Sequence, residues 1–305
     1  MQVAKQVYYL VCKEVCRLVD ILVIFFCIKK IKYFCHMIYC HNELIKEEIK
    51  MSNIISIANQ KGGIGKSSTA LNLGAGLARK GNKVLLLDMD PQCNLSLVFQ
   101  KAFMANNRKT ILEIYENPDT PFIDLIATID KNLFAVQGDK RLLSTERGAE
   151  SGDEWVLADK LDEVKEAFDF IIIDTPPLTG FLTTTALLTS NSVIIPVQAD
   201  LFSFQGIKSF CDSVAKIKKR NNPDITIDGV VLTRFAQNTL SGKKLMQEYD
   251  SLASSEGTKI IGAIPENVAI RDSILHLTDV FSYDKNSSGA RAYSELVDTV
   301  EQLHK

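Results

Sequence analysis

Charge of one sign, long apolar runs and paired cysteines are all scarce in this chain of 305 residues. Its 35 Lys and Arg stand against 37 Asp and Glu, a formal net charge of −2, so no global basic field draws it to nucleic acid. In the first fifty residues the longest unbroken apolar run is Ile21 to Ile28, closed off by Asp20 on one side and Lys29 and Lys30 on the other. A spanning helix needs about 20 apolar residues, so this run is too short. A secretory signal also fits poorly, because Glu14, Arg17 and Asp20 interrupt the region and no small-residue cleavage site follows. Five of the seven cysteines (Cys12, Cys16, Cys27, Cys35 and Cys40) fall in the same fifty residues. Cys35-His36 and Cys40-His41 match no zinc spacing. Cys93 and Cys211 read as unpaired thiols of a reducing compartment.

With 46% hydrophobic residues the chain can bury a core. Residues 1–50, rich in Cys, Tyr, Ile and Lys, read as an atypical N-terminal extension. Residues 51–305 read as one α/β domain, with Met51 as the expected natural start and the preceding stretch as upstream sequence translated in frame. The competing reading is an amphipathic segment lying on a membrane.

The domain is organised around Ile54 to Thr69. Ile54 to Ala58 is a short β-branched run expected to form a buried strand. Gly62, Gly63 and Gly65 break it, and Ser67 to Lys80 continues as a helix with Leu71, Leu73, Leu77 and Ala78. Strand, glycine loop, Lys-Ser and helix form the phosphate-binding arrangement. The glycines let successive N–H groups turn toward one anion, and the helix start adds its positive dipole end. Lys66 supplies a full charge to the outer phosphates, the Ser67 hydroxyl is placed to ligand Mg²⁺, and Ser68 completes the cradle. Gln60 stands where the usual pattern has Gly, and a second lysine, Lys61, heads the loop.

Strand and helix patterns alternate afterwards, which predicts a parallel sheet covered on both faces. Lys83 to Leu87 is the second strand, ending in Asp88-Met-Asp90-Pro-Gln-Cys93-Asn. Carboxylates at the C-terminal end of a parallel strand sit where open α/β sheets bind ligands. Thr110 reads as a helix cap, Leu133 to Gln137 as a strand, and Leu157 to Phe168 as a helix. Asp169 to Asp174 is a buried strand ending in a carboxylate suited to hold Mg²⁺ directly or through water, before Pro176 and Pro177. Val193 to Val197 is another strand, with an irregularity expected near Pro196. Phe204 to Arg220 is a helix ending in Lys216, Lys218, Lys219 and Arg220. Strands at Ile225 to Thr233 and Ile260 to Ile264 follow. The last helix carries Tyr293, Leu296, Val297, Val300 and Leu303 on one stripe.

Lys61-Gly-Gly-x-Gly-Lys-Ser, Asp88-x-Asp-Pro-Gln, the strand to Asp174, and Tyr283-Asp-x-x-Ser-x-Gly-Ala-x-Ala-Tyr293 resemble, in this order, the ParA/MinD group of deviant Walker A P-loop ATPases. The resemblance covers about Asn53 to the C-terminus. It implies a single doubly wound, mostly parallel sheet flanked by helices, the P-loop NTPase fold, with ATP and Mg²⁺ as ligands. It further implies that Asp90 orients the attacking water and that Asp88 supports Mg²⁺ and the loop. Pro265 and Asn267 would frame the adenine ring. Lys61 would reach across a two-fold interface to the partner's phosphates. Cys93 replaces the family's usual Gly, and Glu266 stands where many partition ATPases carry Arg. Their second Arg position falls at Gln237 or Asn238.

The function implied is that of a small partition ATPase. It would dimerise around ATP, bind DNA nonspecifically, act with a ParB-like partner, and reside in the cytoplasm on the nucleoid. The alternative is a MinD-like ATPase positioning a membrane or protein cargo. That reading wants a basic amphipathic C-terminal helix, which the tail Glu301-Gln-Leu-His-Lys does not supply. An iron–sulfur carrier would need paired cysteines in the domain, and a tyrosine kinase of related fold a terminal tyrosine cluster. Residues 51–305 hold 27 basic and 32 acidic side chains, a balance of −5, so DNA contact would require a local patch. The candidates are Lys216, Lys218, Lys219, Arg220, Arg234, Lys243, Lys244 and Arg271.

Overall fold

A computed structural model describes residues 52–105, 109–177, 180–199, 203–236 and 240–305. All of them belong to the second of the chain's two units, Met51–Lys305. The N-terminal extension, with Cys35-His36 and Cys40-His41, lies outside the described residues, as do Gln237 and Asn238.

Among the described residues the strands are β1 (Asn53–Ile57), β2 (Val84–Asp88), β3 (Ile126–Asp130), β4 (Leu133–Val136), β5 (Phe170–Asp174), β6 (Ser192–Gln198), β7 (Thr226–Thr233) and β8 (Ile260–Ala263). They form one sheet in the order β3-β4-β2-β5-β1-β6-β7-β8. Every pairing is parallel except β3 with β4. The doubly wound α/β expectation therefore holds, with one antiparallel edge added.

Both faces of the central strands are buried, which is why their sequences read as unbroken apolar runs rather than alternating ones. Ile55, Ile57, Val84, Leu86 and Ile172 share one core with α1 (Lys66–Arg79) and the last helix. Ile54, Leu85, Leu87, Ile171 and Ile173 point the other way into a second core. A third lies under α4 (Ser203–Arg220), around Val193, Ile195, Phe210 and Leu232. The remaining helices used below are α2 (Asn94–Val98), α3 (Phe181–Thr189), α5 (Leu240–Ser255), α6 (Val268–Leu275) and α7 (Ser288–Leu303).

On α7, Tyr293, Leu296, Val297 and Val300 are buried, whereas Leu303 is 38% exposed and drops out of the expected stripe. Each full burial is worth about 1.5–3 kcal/mol. The close fit of α7 to α1 depends on Gly76, where a Cβ would stand 2.4 Å from Val297 Cγ2. The apolar face of α7 is thus spent inside the domain. Among the described residues no helix is long and apolar enough to cross a membrane.

Several local expectations are corrected. Thr110 caps no helix: its hydroxyl donates to Asp139 at 3.1 Å, and the one-turn helix Glu113–Glu116 begins without a side-chain cap. The helix expected over Leu157 to Phe168 is Val156–Asp162 followed by a separate 3-10 turn, with Phe168 already extended. The irregularity in β6 falls at Val193/Ile194 rather than at Pro196, which pairs in register with Val231. There β7 carries the extra residue, Asp228, whose Oδ2 accepts from Ser192 Oγ at 2.7 Å. Pro196 lies past the last β1 pairing at Ile57↔Ile194, so its missing N–H costs no bond to that strand.

Candidate functional site

The register of three strands builds the site. Asp174, the last residue of β5, pairs with Asp88 at the end of β2 and with Ile57 at the end of β1. Both carboxylates therefore arrive at the C-terminal edge of the sheet, beside the loop that β1 feeds. That loop takes left-handed backbone at Gly63, φ 71°, and Gly65, φ 89°, a conformation open to glycine. Gly65 is also the N-cap of α1.

Lys66 is 6% exposed, and its Nζ donates to the Lys61 carbonyl at 3.1 Å. Burial lowers the Lys66 pKa, opposed by attraction to Asp174 and Asp90. Burial raises Asp90, which is opposed by the Gln92 N–H and by Lys66. The Asp90 Oδ1 accepts that N–H at 2.8 Å. Asp174 is fully buried, and neither of its oxygens has a hydrogen-bond partner. Its pKa is raised well above 3.8 first by desolvation and then by repulsion from Asp88, while the nearby Ser67 hydroxyl favours the charged form.

Asp88 sits where it can support the loop, as the resemblance implies. Its Oδ2 accepts both the Ser96 N–H at 2.8 Å and the Ser96 hydroxyl at 2.6 Å, and its Oδ1 accepts the Asp90 N–H at 3.1 Å. It does not line the cleft described next. Its carboxylate shapes the Asp90 loop and fastens α2; burial still pushes it up to about 6. Cys93, at the family's Gly position, adopts the backbone a glycine would, with φ 54°. Its thiol is pushed up to about 12 by burial.

A cleft of about 340 Å³ is lined by Gly62, Gly63, Gly65, Lys66, Ser67, Ser68, Asp90 and Pro177, with Leu97 and Ile274 at its apolar side. A second cleft of about 300 Å³ is lined by Thr233, Ile264, Pro265, Glu266, Asn267, Ile270, Arg271 and Tyr293. Gly65, Ser68, Arg234 and Ile274 belong to both. Phosphate-binding and base-framing candidates, far apart in sequence, thus line two adjoining clefts that share four residues. Asn267 helps form the second while its side chain caps α6, accepting from Ala269 N at 2.8 Å and donating to Ser288 Oγ at 2.7 Å. Lys61 is exposed at the head of the loop.

The donor set fits a divalent cation held chiefly by a nucleotide. Asp174 offers a buried, partnerless carboxylate beside Ser67. Among the described residues no three His, Cys, Asp or Glu side chains form a protein-only cage, as suits Mg²⁺, which keeps waters and phosphate oxygens.

Of the proposed DNA patch, Lys216, Lys219 and Arg220 are exposed at the end of α4, while Lys218 donates to the Ile225 carbonyl at 2.9 Å. Lys244 is exposed on α5, and the Lys243 side chain lies outside the described residues. Arg234 and Arg271 are exposed too, but they line the base cleft. Charge alone carries no information about where each sits, Arg234 just past the end of β7 and Arg271 on α6. Sequence reasoning also missed Thr233 and Tyr293 as walls of the site; a strand's last residue and a buried stripe gave no such signal.

A glycine-loop cradle at the switch point of a parallel sheet, with a buried lysine facing carboxylates from two strand ends, defines a P-loop nucleoside triphosphatase. Comparison with known proteins narrows the class. The AAA_31 family model, an AAA domain, matches residues 52–227. The sporulation initiation inhibitor protein Soj of Bacillus subtilis is 36% identical over 255 residues, spanning 82% of this chain and 98% of its own. The chromosome-partitioning ATPase Soj of Treponema pallidum is 34% identical over 81% of this chain and 96% of its own. A plasmid partition protein of Borrelia burgdorferi bound to AMPPNP superposes with a TM-score of 0.71 at 26% identity, over 83% of this chain and 99% of that one. The chain belongs to the ParA/Soj family of P-loop ATPases.

Proposed function

We propose that this chain is a partition ATPase that binds MgATP in the adjoining clefts and forms a dimer around two nucleotides. In that state it binds DNA without sequence preference, until a ParB-like partner discharges it. The observation that carries the reading is the strand register that delivers Asp174 and the Asp90 loop to the P-loop lysine, next to a base cleft containing Pro265 and Asn267.

The residues divide the work by position. The P-loop N–H groups, Lys66 and Ser68 bind phosphates. Ser67 and Asp174 would hold the cation, which would offset charge developing on the transferred phosphate. Asp90, held in place by Asp88, orients the attacking water. Lys61 reaches the partner's nucleotide. The exposed Lys216, Lys219, Arg220 and Lys244 supply the DNA patch, doubled on dimerisation, and the protein resides in the cytoplasm on the nucleoid. Chromosome- and plasmid-partition relatives favour this reading over a MinD-like one, as does the burial of the α7 apolar stripe, which leaves that helix no apolar face for a bilayer.

The test uses an Asp90→Ala chain, expected to trap the ATP-bound dimer. Its binding to random duplex DNA is measured at about 50 and 200 mM salt, between which phosphate contacts lose most of their affinity. ATP-dependent binding that falls steeply with salt supports attachment to DNA. No binding at the lower salt rejects it.

A further inference from the structure

Arg234 stands where the phosphate cleft and the base cleft meet, and it lines both. Its φ of 51° lies in the left-handed region, which a side chain adopts only where its surroundings over-determine it. The surroundings are plain. On one side of it the Thr233 hydroxyl donates to the Ile64 carbonyl of the P-loop at 2.8 Å. On the other, the Phe235 N–H donates to the Ile264 carbonyl, next to Pro265, at 3.0 Å. Thr233 Cγ2 also lies only 3.5 Å from where a Cβ on Gly65 would be. The Arg234 Cα is therefore fixed relative to the phosphate loop and the base cleft together.

Its side chain is exposed and makes no hydrogen bond or ion pair with another described residue. Of the four residues common to both clefts it alone carries a charge. A nucleotide with its outer phosphates on the P-loop and its base against Pro265 must cross this junction with its ribose and α-phosphate. A guanidinium presents a planar fork of donors to such an anion, with a charge that does not depend on pH.

We infer that Arg234 is a nucleotide-binding residue, holding the α-phosphate at the junction of the two clefts. It would act on the part that ATP and ADP share, whereas Lys66 serves the outer phosphates. The inference rests on the nucleotide site proposed above. It also withdraws Arg234 from the DNA patch.

The experiment titrates ATP, ADP and inorganic tripolyphosphate onto the full chain and onto Arg234→Gly and Arg234→Lys. Glycine accepts the left-handed backbone, so Arg234→Gly is expected to match the parent in thermal stability without nucleotide. It should bind ATP and ADP each roughly tenfold more weakly, as loss of one charge-assisted hydrogen bond implies. Tripolyphosphate, which has no ribose or base to place a phosphate at the junction, should bind it as it binds the parent. Arg234→Lys should fall between parent and Arg234→Gly for both nucleotides. Unchanged ADP binding in Arg234→Gly, or a loss confined to ATP, overturns the assignment while leaving the site itself intact. A parent chain that binds neither nucleotide overturns both the assignment and the site on which it rests.

Discussion

Ser96 gives Asp88 both of its donors, the hydroxyl at 2.6 Å and the N–H at 2.8 Å, and its hydroxyl oxygen in turn accepts the Gly138 N–H at 2.8 Å. One buried serine thus joins the end of β2, the first turn of α2 and the segment after β4. Ser96→Ala removes a hydroxyl that is only 4% exposed as a residue and leaves the Gly138 N–H without its acceptor. The expected cost is about 1–3 kcal/mol, the usual penalty for stranding buried polar groups. Urea denaturation checks it; a midpoint unchanged from the parent would mean that water replaces the serine.

Asp174 makes the opposite prediction. Its carboxylate is buried without a hydrogen-bond partner and titrates well above the ordinary 3.8. The folded chain therefore keeps this proton at pH values where the unfolded chain has released it. Stability from this group is greatest at low pH and falls as pH rises above about 4. Asp174→Asn should be more stable than the parent near pH 7 in the absence of nucleotide, the gap closing toward pH 4, and should lose ATP hydrolysis. Denaturation midpoints across that range decide it; a parent more stable at pH 7 refutes the claim.

The two P-loop lysines separate binding from assembly. Lys66, buried and attracted by Asp174 and Asp90, should be needed for nucleotide binding itself. Lys61, exposed at the head of the loop, should be needed only for dimerisation. Lys66→Ala is expected to abolish ATP binding, and Lys61→Ala to bind ATP yet sediment as a monomer with MgATP. Equal loss of binding in both variants would end the division of labour.

Cys93 occupies left-handed backbone at the start of α2 with φ 54°. Cys93→Gly should relieve that conformation and stabilise the chain by up to about 1 kcal/mol, less the entropy a glycine adds to the unfolded state. A thermal midpoint lower than the parent's would show that the half-buried thiol packs better than a glycine does.

The parallel core and the phosphate cradle are legible from the residues alone. Both are written locally: short β-branched apolar runs bounded by turn residues and alternating with helical patterns fit strands covered on both faces, and Gly-Gly-Ile-Gly-Lys-Ser permits the turns an anion needs within a few residues. The sequence left β3 illegible, because Ile126–Asp130 is an edge strand with mixed burial, defined by its antiparallel partner rather than by its own pattern. Residue type and spacing alone did not divide Asp88 from Asp90; only the resemblance did. They are two residues apart on one strand end, and only the position of Ser96 decides that one carboxylate fastens the loop while the other faces the cleft. Arg234 shows the same limit. Its charge was legible, but the cleft it serves was set by the pairing of β7 between β6 and β8 and by the bond from Thr233 to the P-loop. Contacts between residues 169 positions apart leave no local trace in a chain, because they are selected by how whole strands align and not by the residues beside them.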